Sequence, residues 1–521
     1  MEYWPERKDW AFDKGRRKLR IMSKEFLFSQ MTLPAELIED LRRQNPWWEG
    51  RALPVLPPHR RHLVRQIHRR LEWKLAPIVV VRGPRQIGKT TAQLHFVEDI
   101  LKQGVGATRI LRVQFDDLRE MEDFDSPILR IVDWFERTIL GSTLNEAARS
   151  GGPVFMLLDE VQNLDGWAPQ LKSLVDSSTV QVVVTGSSAL RIEAGRDSLA
   201  GRITSLEAGT LSLTEIATLR GFDLGEPYLK DNGLEALTHA TFWTCLREHG
   251  QSREQNRDAA FAAFSERGGY PLAHLRATAP WEQVADQLNE TVIKRVIQHD
   301  LRLGERGRKR DPALLEELFR LCCRYAGQTP TIQTLAREAQ RVLQANVGAQ
   351  RINAYLRFLG DTLLLRLIPP LEIRLKRKRG SPKLCLVDHG LRASWLQEMI
   401  PLDPRKLHEE PELTVVAGHL AESVTGAVLS TITGLDIAHF PERHGEPEVD
   451  FILTIGVKRI PIEVKYQAKI DAMRDTEGLR SFVEKSVNNA PFGLLITQSN
   501  APEVVDPRVV ALPLSSLMLL R

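Results

Sequence analysis

At 521 residues the chain is too long for one hydrophobic core, and typical domain sizes divide it into roughly three domains. With 42% hydrophobic and 26% charged residues it has ordinary globular composition and ample apolar content for large cores. A net charge of +4, from 71 Lys and Arg against 67 Asp and Glu, neither demands nor excludes a nucleic-acid partner, so the distribution of charge matters more than its sum.

The four cysteines, Cys245, Cys322, Cys323 and Cys385, form no CxxC pair, which excludes a zinc ribbon or a thioredoxin-type motif and leaves reduced structural thiols. Apolar runs such as Val154–Leu158 are strand-length, far short of the roughly 18 residues of a membrane span. The N-terminus mixes Lys, Arg, Asp and Glu without an apolar core, unlike a secretory signal. The expected location is the cytoplasm, with no membrane partner.

In chain order, residues 1–32 are charged and weakly periodic. Leu33–Arg43 reads as an amphipathic helix ending at Asn45-Pro46-Trp47-Trp48, and a Pro/Arg-rich connector (Leu53–Arg61) leads to a second helix ending near Trp73. Strands are expected at Ile78–Arg82, Arg109–Phe115, Val154–Leu158 and Val180–Thr185, with helices at Thr90–Gln103, Pro127–Ile139 and Ala168–Asp176 between them. That alternation predicts a parallel sheet with crossover helices. Residues 216–310 read as mostly helical, with a loop at Gly268-Gly269-Tyr270-Pro271.

Beyond 310 the pattern changes. Helices at Pro312–Tyr325, Thr331–Glu338 and Gln350–Leu359, followed by strand-like Thr362–Ile368, suggest a winged helix-turn-helix. Residues 383–521 return to mixed α/β, with strands at Leu384–Val387, Val449–Ile455, Arg459–Tyr466 and Gly493–Thr497, and helices at Gly418–Thr431 and Thr476–Ser486. The expected division is an N-terminal extension and helix (1–50), a parallel-sheet core (51–220), a helical lid or linker (221–310), a winged helix (311–380) and a further α/β domain (381–521).

The most specific motif is Gly83-Pro84-Arg85-Gln86-Ile87-Gly88-Lys89-Thr90, which matches GxxxxGK[ST] and is followed by Thr91. A buried strand before it and an apolar-periodic helix after it are the context in which backbone N–H groups cup phosphates. Lys89 is then expected to reach the β- and γ-phosphates of ATP and the Thr90 hydroxyl to sit on Mg²⁺. Asp159-Glu160 closes the strand Val154–Leu158, so Asp159 is the candidate magnesium ligand and Glu160 the residue that polarises the attacking water. Thr185 or Ser187, at the end of another strand, is a candidate γ-phosphate sensor. Arg202 is a candidate arginine finger, acting in its own subunit or on a neighbour in a homo-oligomer. Asp116 and Asp117 are weaker candidates to line the site.

Asn45-Pro46-Trp47-Trp48, the phosphate loop, Leu158-Asp159-Glu160-Val161-Gln162 and Gly268-Gly269-Tyr270-Pro271 together resemble the AAA+ superfamily ATPases of bacteria and archaea that carry a C-terminal domain of restriction-endonuclease-like fold. The resemblance covers the chain from about Leu33 onward. It implies an α/β architecture: a P-loop AAA+ parallel-sheet domain, a winged helix, then a restriction-endonuclease-like α/β domain.

Two further clusters bear on partners. Gln350, Arg351, Asn353 and Arg357 are expected outward on a recognition helix, and Arg374, Lys376, Arg377, Lys378 and Arg379 form a dense cationic run that would neutralise DNA phosphates. Near the C-terminus Glu463 and Lys465 share one face of a strand, a hairpin turn at Gly456–Lys458 brings Asp450 beside them, and Glu422 lies on the preceding helix. This order resembles the PD-(D/E)xK nuclease pattern, with Glu422, Asp450 and Glu463 as Mg²⁺ ligands and Lys465 steadying the nucleophile or the developing charge. Two readings follow: an ATP-dependent DNA-processing enzyme with a metal-dependent nuclease site, or a switch ATPase whose C-terminal modules only bind DNA or protein.

Overall fold

The computed structural model describes residues 33–116, 125–186, 197–229, 233–300, 311–372, 380–442, 445–500 and 506–521. Helices α1 (Ala35–Gln44) and α2 (His62–Glu72) precede strands β1 (Ile78–Arg82), β2 (Ile110–Gln114), β3 (Phe155–Asp159), β4 (Gln181–Gly186) and β5 (Ile203–Glu207). The five strands pair in parallel in the order β2-β3-β4-β1-β5. Parallel neighbours need crossovers, and α3 (Lys89–Lys102), α4 (Pro127–Phe135), α5 (Leu144–Gly151) and α6 (Trp167–Ser177) supply them. Both faces are covered. Val79, Val81, Leu157 and Val183 pack into one core, while Ile78, Val80, Met156, Leu158, Val182 and Val184 pack into the other.

Strand β5 falls outside the sequence expectation because Thr204, Ser205 and Glu207 interrupt any apolar run; as an edge strand it is only partly buried. The opposite edge, β2, is capped by the Asn45-Pro46-Trp47-Trp48 segment. Asn45 Nδ2 donates to Leu41 O (2.7 Å) and Arg112 O (2.8 Å), and its Oδ1 accepts from Arg112 N–H (2.7 Å). The Trp47 and Trp48 indoles both donate to Ile110 O, at 3.1 and 2.8 Å. Side chains thereby occupy the backbone groups that an exposed edge would offer to another strand.

Helices α7 (Leu213–Arg220), α8 (Ala240–Gln251), α9 (Glu254–Arg267), α10 (Pro271–Leu275) and α11 (Trp281–Leu288) follow. Next come α12 (Pro312–Arg324), α13 (Ile332–Leu343) and α14 (Ala349–Asp361), then an antiparallel pair, β6 (Leu365–Ile368) and β7 (Lys383–Leu386). On α14 the predicted outward residues Gln350, Arg351, Asn353 and Arg357 are exposed, while Ile352, Tyr355, Leu356 and Leu359 are buried. The cationic run Arg374–Arg379 lies outside the described residues.

After α15 (His389–Leu396), α16 (Pro404–Glu409) and α17 (Thr414–Ser430) comes a second sheet of β8 (Asp436–Phe440), β9 (Val449–Ile455), β10 (Lys458–Lys465), β11 (Gly493–Thr497) and β12 (Val509–Pro513), with α18 (Glu477–Glu484) between β10 and β11. Its order is β12-β11-β10-β9-β8, antiparallel from β8 to β10 and parallel from β10 to β12. α17 brings Leu420, Ala421 and Val424 to the core on one face of this sheet, and α18 brings Leu479 and Phe482 to the core on the other. With the turn before it, α17 (Pro411–Ser430) is long and apolar enough to cross a membrane by length and composition, a length of apolar sequence not anticipated above. Here its buried residues face β7 and β10, the position of a core helix.

Candidate functional site

The sheet order puts three elements of the predicted nucleotide site in one row. Asp159 pairs with Thr185, and Thr185 pairs on its other side with Val81, one residue before β1 ends at Arg82 and the loop begins. A Cβ on Gly83 would lie 2.5 Å from Ala208 O and 2.6 Å from Ile87 Cδ1, so only glycine lets the loop turn this close to β5. Gly88 has φ +88°, a left-handed conformation that favours glycine, and α3 starts at the next residue. The helix N-terminus therefore points at the loop, with the partial positive charge of its first N–H groups.

Around Asp159, which is fully buried, the side chains form a closed set. Thr90 Oγ1 donates to Asp159 Oδ2 at 2.7 Å, and the Thr185 hydroxyl donates to Oδ1. Gln93, one turn after Thr90, donates to Thr185 Oγ1 at 2.9 Å, and Arg112 donates to Asp159 Oδ2 at 3.3 Å. Lys89 Nζ donates to the loop carbonyls of Gly83 (2.9 Å) and Pro84 (2.8 Å). Thr185, a candidate γ-phosphate sensor alongside Ser187, turns its hydroxyl onto the carboxylate. Gln93 and Arg112 escaped the sequence reading, although their positions inside apolar elements were a signal that each has a buried partner.

Glu160 follows in a left-handed conformation (φ +52°), unusual for a residue with a Cβ, and accepts a hydrogen bond from the Gln162 amide. Asp116, just past β2, accepts from Asn163. Loss of water around Asp116, reinforced by the Glu160 charge, raises its pKa, while the positive charges of Arg85 and Arg295 work against that rise. Arg295, in the helical turn beyond α11, is thus a cation at this end of the sheet that sequence reading did not single out. Asp117 and Ser187 lie outside the described residues.

Arg202 is not brought to the site. Its carbonyl accepts from Ile78 N–H (3.2 Å), level with the start of β1, so the length of the strand, roughly 16 Å, separates it from the loop. There its guanidinium pairs with Asp176 at 2.5 and 3.0 Å. Arg61 is the unforeseen positioning residue. It donates to Ile87 O inside the loop, to Gly209 O (3.2 Å) and Thr210 O (3.0 Å), and to Glu215 at 2.9 Å. Burial alone would raise the Glu215 carboxyl, but Arg61, His62 and the Ser212 N–H outweigh it and bring it down to about 2.

The C-terminal residues converge as the hairpin predicts. Phe451 pairs with Ile462, so Asp450 and Glu463 flank the next position, and Lys465 pairs with Glu463 at 2.6 Å. Glu422, on α17, faces the same cleft, which has a volume of about 500 Å³. Sequence reading missed the group at its centre: Lys383, from β7, donates to Glu422 Oε2 (2.6 Å) and Asp450 Oδ1 (2.5 Å). Asp450 Oδ2 accepts from Val464 N–H at 2.9 Å. Burial opposes the charge on Asp450, yet Lys383 outweighs it and holds Asp450 below the usual range. Burial and the Asp450 charge raise Glu422, and they push Glu463 up to about 8. Among the described residues no three His, Cys, Asp or Glu side chains form a group that could hold a metal ion. Lys383 thus pairs with two of the three expected metal ligands, Glu422 and Asp450.

A glycine-rich loop between β1 and α3, with a buried carboxylate and hydroxyls at the C-terminal edge of a parallel 2-3-4-1-5 sheet, defines a P-loop nucleotide-hydrolysing domain. Residues 76–217 match the family model of an AAA domain, so the chain carries an AAA-type P-loop ATPase domain. Residues 259–400 and 415–517 match two domains of unknown function, DUF8612 and DUF4143. An uncharacterized protein of Haemophilus influenzae is 21% identical over 318 residues, 60% of this chain and 68% of its own length. Of solved structures, the Walker-type ATPase paby2304 of Pyrococcus abyssi aligns with 66% of this chain and 99% of its own, at 14% identity and a TM-score of 0.37. Cdc6p of Pyrobaculum aerophilum aligns with 68% of this chain and 97% of its own, at 13% identity and a TM-score of 0.25.

Proposed function

We propose that the chain hydrolyses ATP with Mg²⁺ at this loop and transmits its nucleotide state to C-terminal modules that hold DNA. The observation that carries the first half is the pair Thr90 Oγ1 and Asp159 Oδ2, two hard oxygen donors 2.7 Å apart beside Lys89. Such donors suit Mg²⁺, which when bound neutralises charge on the β- and γ-phosphates. Lys89 would exchange its two loop carbonyls for phosphate oxygens. Thr185, Gln93 and Arg112 keep Asp159 oriented, and Glu160, projected beyond β3 by its backbone turn, orients the attacking water and takes its proton. Arg85 and Arg295 supply positive charge on the phosphate side. A mostly apolar recess of about 90 Å³ beside Gly88 and Thr91, walled by Pro57, His59, Leu211, Leu219, Pro271 and Leu275, suits the base.

Three helices followed by a two-stranded hairpin, with Gln350, Arg351, Asn353 and Arg357 exposed on the third helix, support a winged-helix reading and DNA as partner. The run Arg374–Arg379 falls between the two strands in sequence, where a wing would meet phosphates. The ion-pair chain from Arg82, the residue before Gly83, through Glu207 (2.7 Å) to Arg366 on β6 supports coupling between loop and hairpin. The order α17, β8–β10, α18, β11 with Glu422, Asp450, Glu463 and Lys465 supports a nuclease-like fold. Lys383 favours a module that grips DNA over one that cuts it.

The test is ATP turnover by the full chain with Mg²⁺. Lys89→Ala should lose nucleotide binding, and Glu160→Gln should retain bound ATP while hydrolysis falls by roughly 10²–10⁴. Normal turnover in either variant would remove the assignment. For DNA, neutralising Arg374, Lys376, Arg377, Lys378 and Arg379 should flatten the dependence of affinity on salt. An unchanged slope would reject the wing.

A further inference from the structure

We propose that Lys383 fills the cation position of the C-terminal carboxylate cluster, so that the chain balances Glu422 and Asp450 with its own ammonium group and takes no divalent metal there. Lys383 Nζ lies 2.6 Å from Glu422 Oε2 and 2.5 Å from Asp450 Oδ1. Magnesium would sit about 2.0–2.1 Å from the same oxygens and calcium about 2.3–2.6 Å, so the nitrogen bridges the same two oxygens at distances within about half an ångström of either ion's. Lys383 and an ion cannot share that point.

The ammonium is also fully engaged. Its third side faces the Phe451 ring, 5.1 Å from the centroid, and the side chain is only 2% exposed. The remaining groups leave little for a metal. Asp450 Oδ2 is taken by Val464 N–H, Glu463 Oε1 by Lys465 at 2.6 Å, and His419 stands 3.7 Å from the other oxygen of Glu422. Glu463 Oε2 is buried without a hydrogen-bond partner, yet the ammoniums of Lys465 and Lys383 both act on this carboxylate and would repel a dication approaching it. The three expected ligands, Glu422, Asp450 and Glu463, are partly offset by two ammoniums, Lys383 and Lys465, while Glu448, Asp475, Glu477 and the Arg474 guanidinium also line the cleft.

Withdrawal of the ammonium is costly as well. Lys383 belongs to β7, paired with Ile368 of β6, and its neighbours Leu384 and Leu386 are buried in the core that α17 joins. To expose the carboxylates, the Lys383 side chain would have to swing out of its buried position and give up both ion pairs. The cluster therefore ties the β6–β7 hairpin to α17 and β9.

The experiment is Mn²⁺ binding to the full, nucleotide-free chain, counted by electron paramagnetic resonance of the free ion. The parent and Asp450→Asn should bind the same number of ions. Lys383→Met should gain one ion, and the Lys383→Met/Asp450→Asn double variant should lose it again. The proposal is overturned if Asp450→Asn or Glu422→Gln removes an ion from the parent count, or if folded Lys383→Met gains none. Metal-dependent DNA cleavage by the parent that Asp450→Asn abolishes would overturn it too. If Lys383→Met does not fold, the parent against Asp450→Asn and Glu422→Gln decides the question.

Discussion

Replacing Thr185 by Val tests the central contact of the nucleotide site, because the two side chains have nearly the same shape and differ in the hydroxyl. Thr185, Gln93 and Asp159 are all fully buried, so no water replaces a lost partner. The hydroxyl donates to Asp159 Oδ1 and accepts from Gln93 Nε2 at 2.9 Å, whose other acceptor among the described residues is Leu158 O at 3.4 Å. A hydrogen bond to a charged group contributes about 1.5–3 kcal/mol and one between neutral groups about 1 kcal/mol, so Thr185→Val should cost roughly 2.5–4 kcal/mol. Thr185→Ser keeps both bonds and loses one methyl, a cost of about 1 kcal/mol. Urea titration of the transition that reports the ATPase domain gives the stability order parent, Ser, Val, and a chain of this size calls for that transition to be isolated. Turnover measured against Mg²⁺ concentration should shift to higher metal in Val and stay near the parent in Ser. Val as stable as Ser, with lost turnover at saturating Mg²⁺, would refute the reasoning and return the hydroxyl to a phosphate-sensing role.

Three further outcomes follow from named contacts. Glu215, held near 2 against its ordinary 4.5, contributes about 3 kcal/mol to the folded state at neutral pH. Because its folded pKa is depressed, that contribution is complete above about pH 4.5 and fades as the pH falls toward 2; the stability gap between parent and Glu215→Gln should close over that window, and a constant gap would reject it. Arg202→Ala should leave turnover unchanged, since Arg202 binds Asp176 at the far edge of the sheet, whereas Arg295→Ala should slow it. Turnover that falls in Arg202→Ala only when the protein self-associates would put Arg202 at a neighbour's site. Arg366→Ala should leave basal turnover intact while removing any change that DNA causes in it, and an unaltered DNA response would sever the proposed link through Glu207.

Local sequence was sufficient for the nucleotide loop because its chemistry is local. Glycines, Lys89 and Thr90 sit within eight consecutive residues, and the strand before them and helix after them are continuous apolar patterns. Asp159-Glu160 was legible for the same reason, as an acidic pair at the end of an apolar strand. Thr185 was found, but its direction was not, since only the pairing of β4 between β3 and β1 turns its hydroxyl to Asp159. Arg202 shows the converse: its place in the sequence was suggestive, and the sheet puts it at the wrong end.

The second cluster divides in the same way. Asp450, Glu463 and Lys465 come together through one hairpin, which alternation along two adjacent strands predicts. Lys383 reaches them from 67 residues before Asp450, on a strand of another sheet, and nothing in Pro382-Lys383-Leu384-Cys385-Leu386 signals a carboxylate partner. Sequence by itself determined which short segments carry chemistry, because a motif's geometry is set by neighbouring backbone. Tertiary structure alone decided which charges meet. A buried ion pair depends on the packing that brings distant strands together, and that packing is what set an ammonium between Glu422 and Asp450.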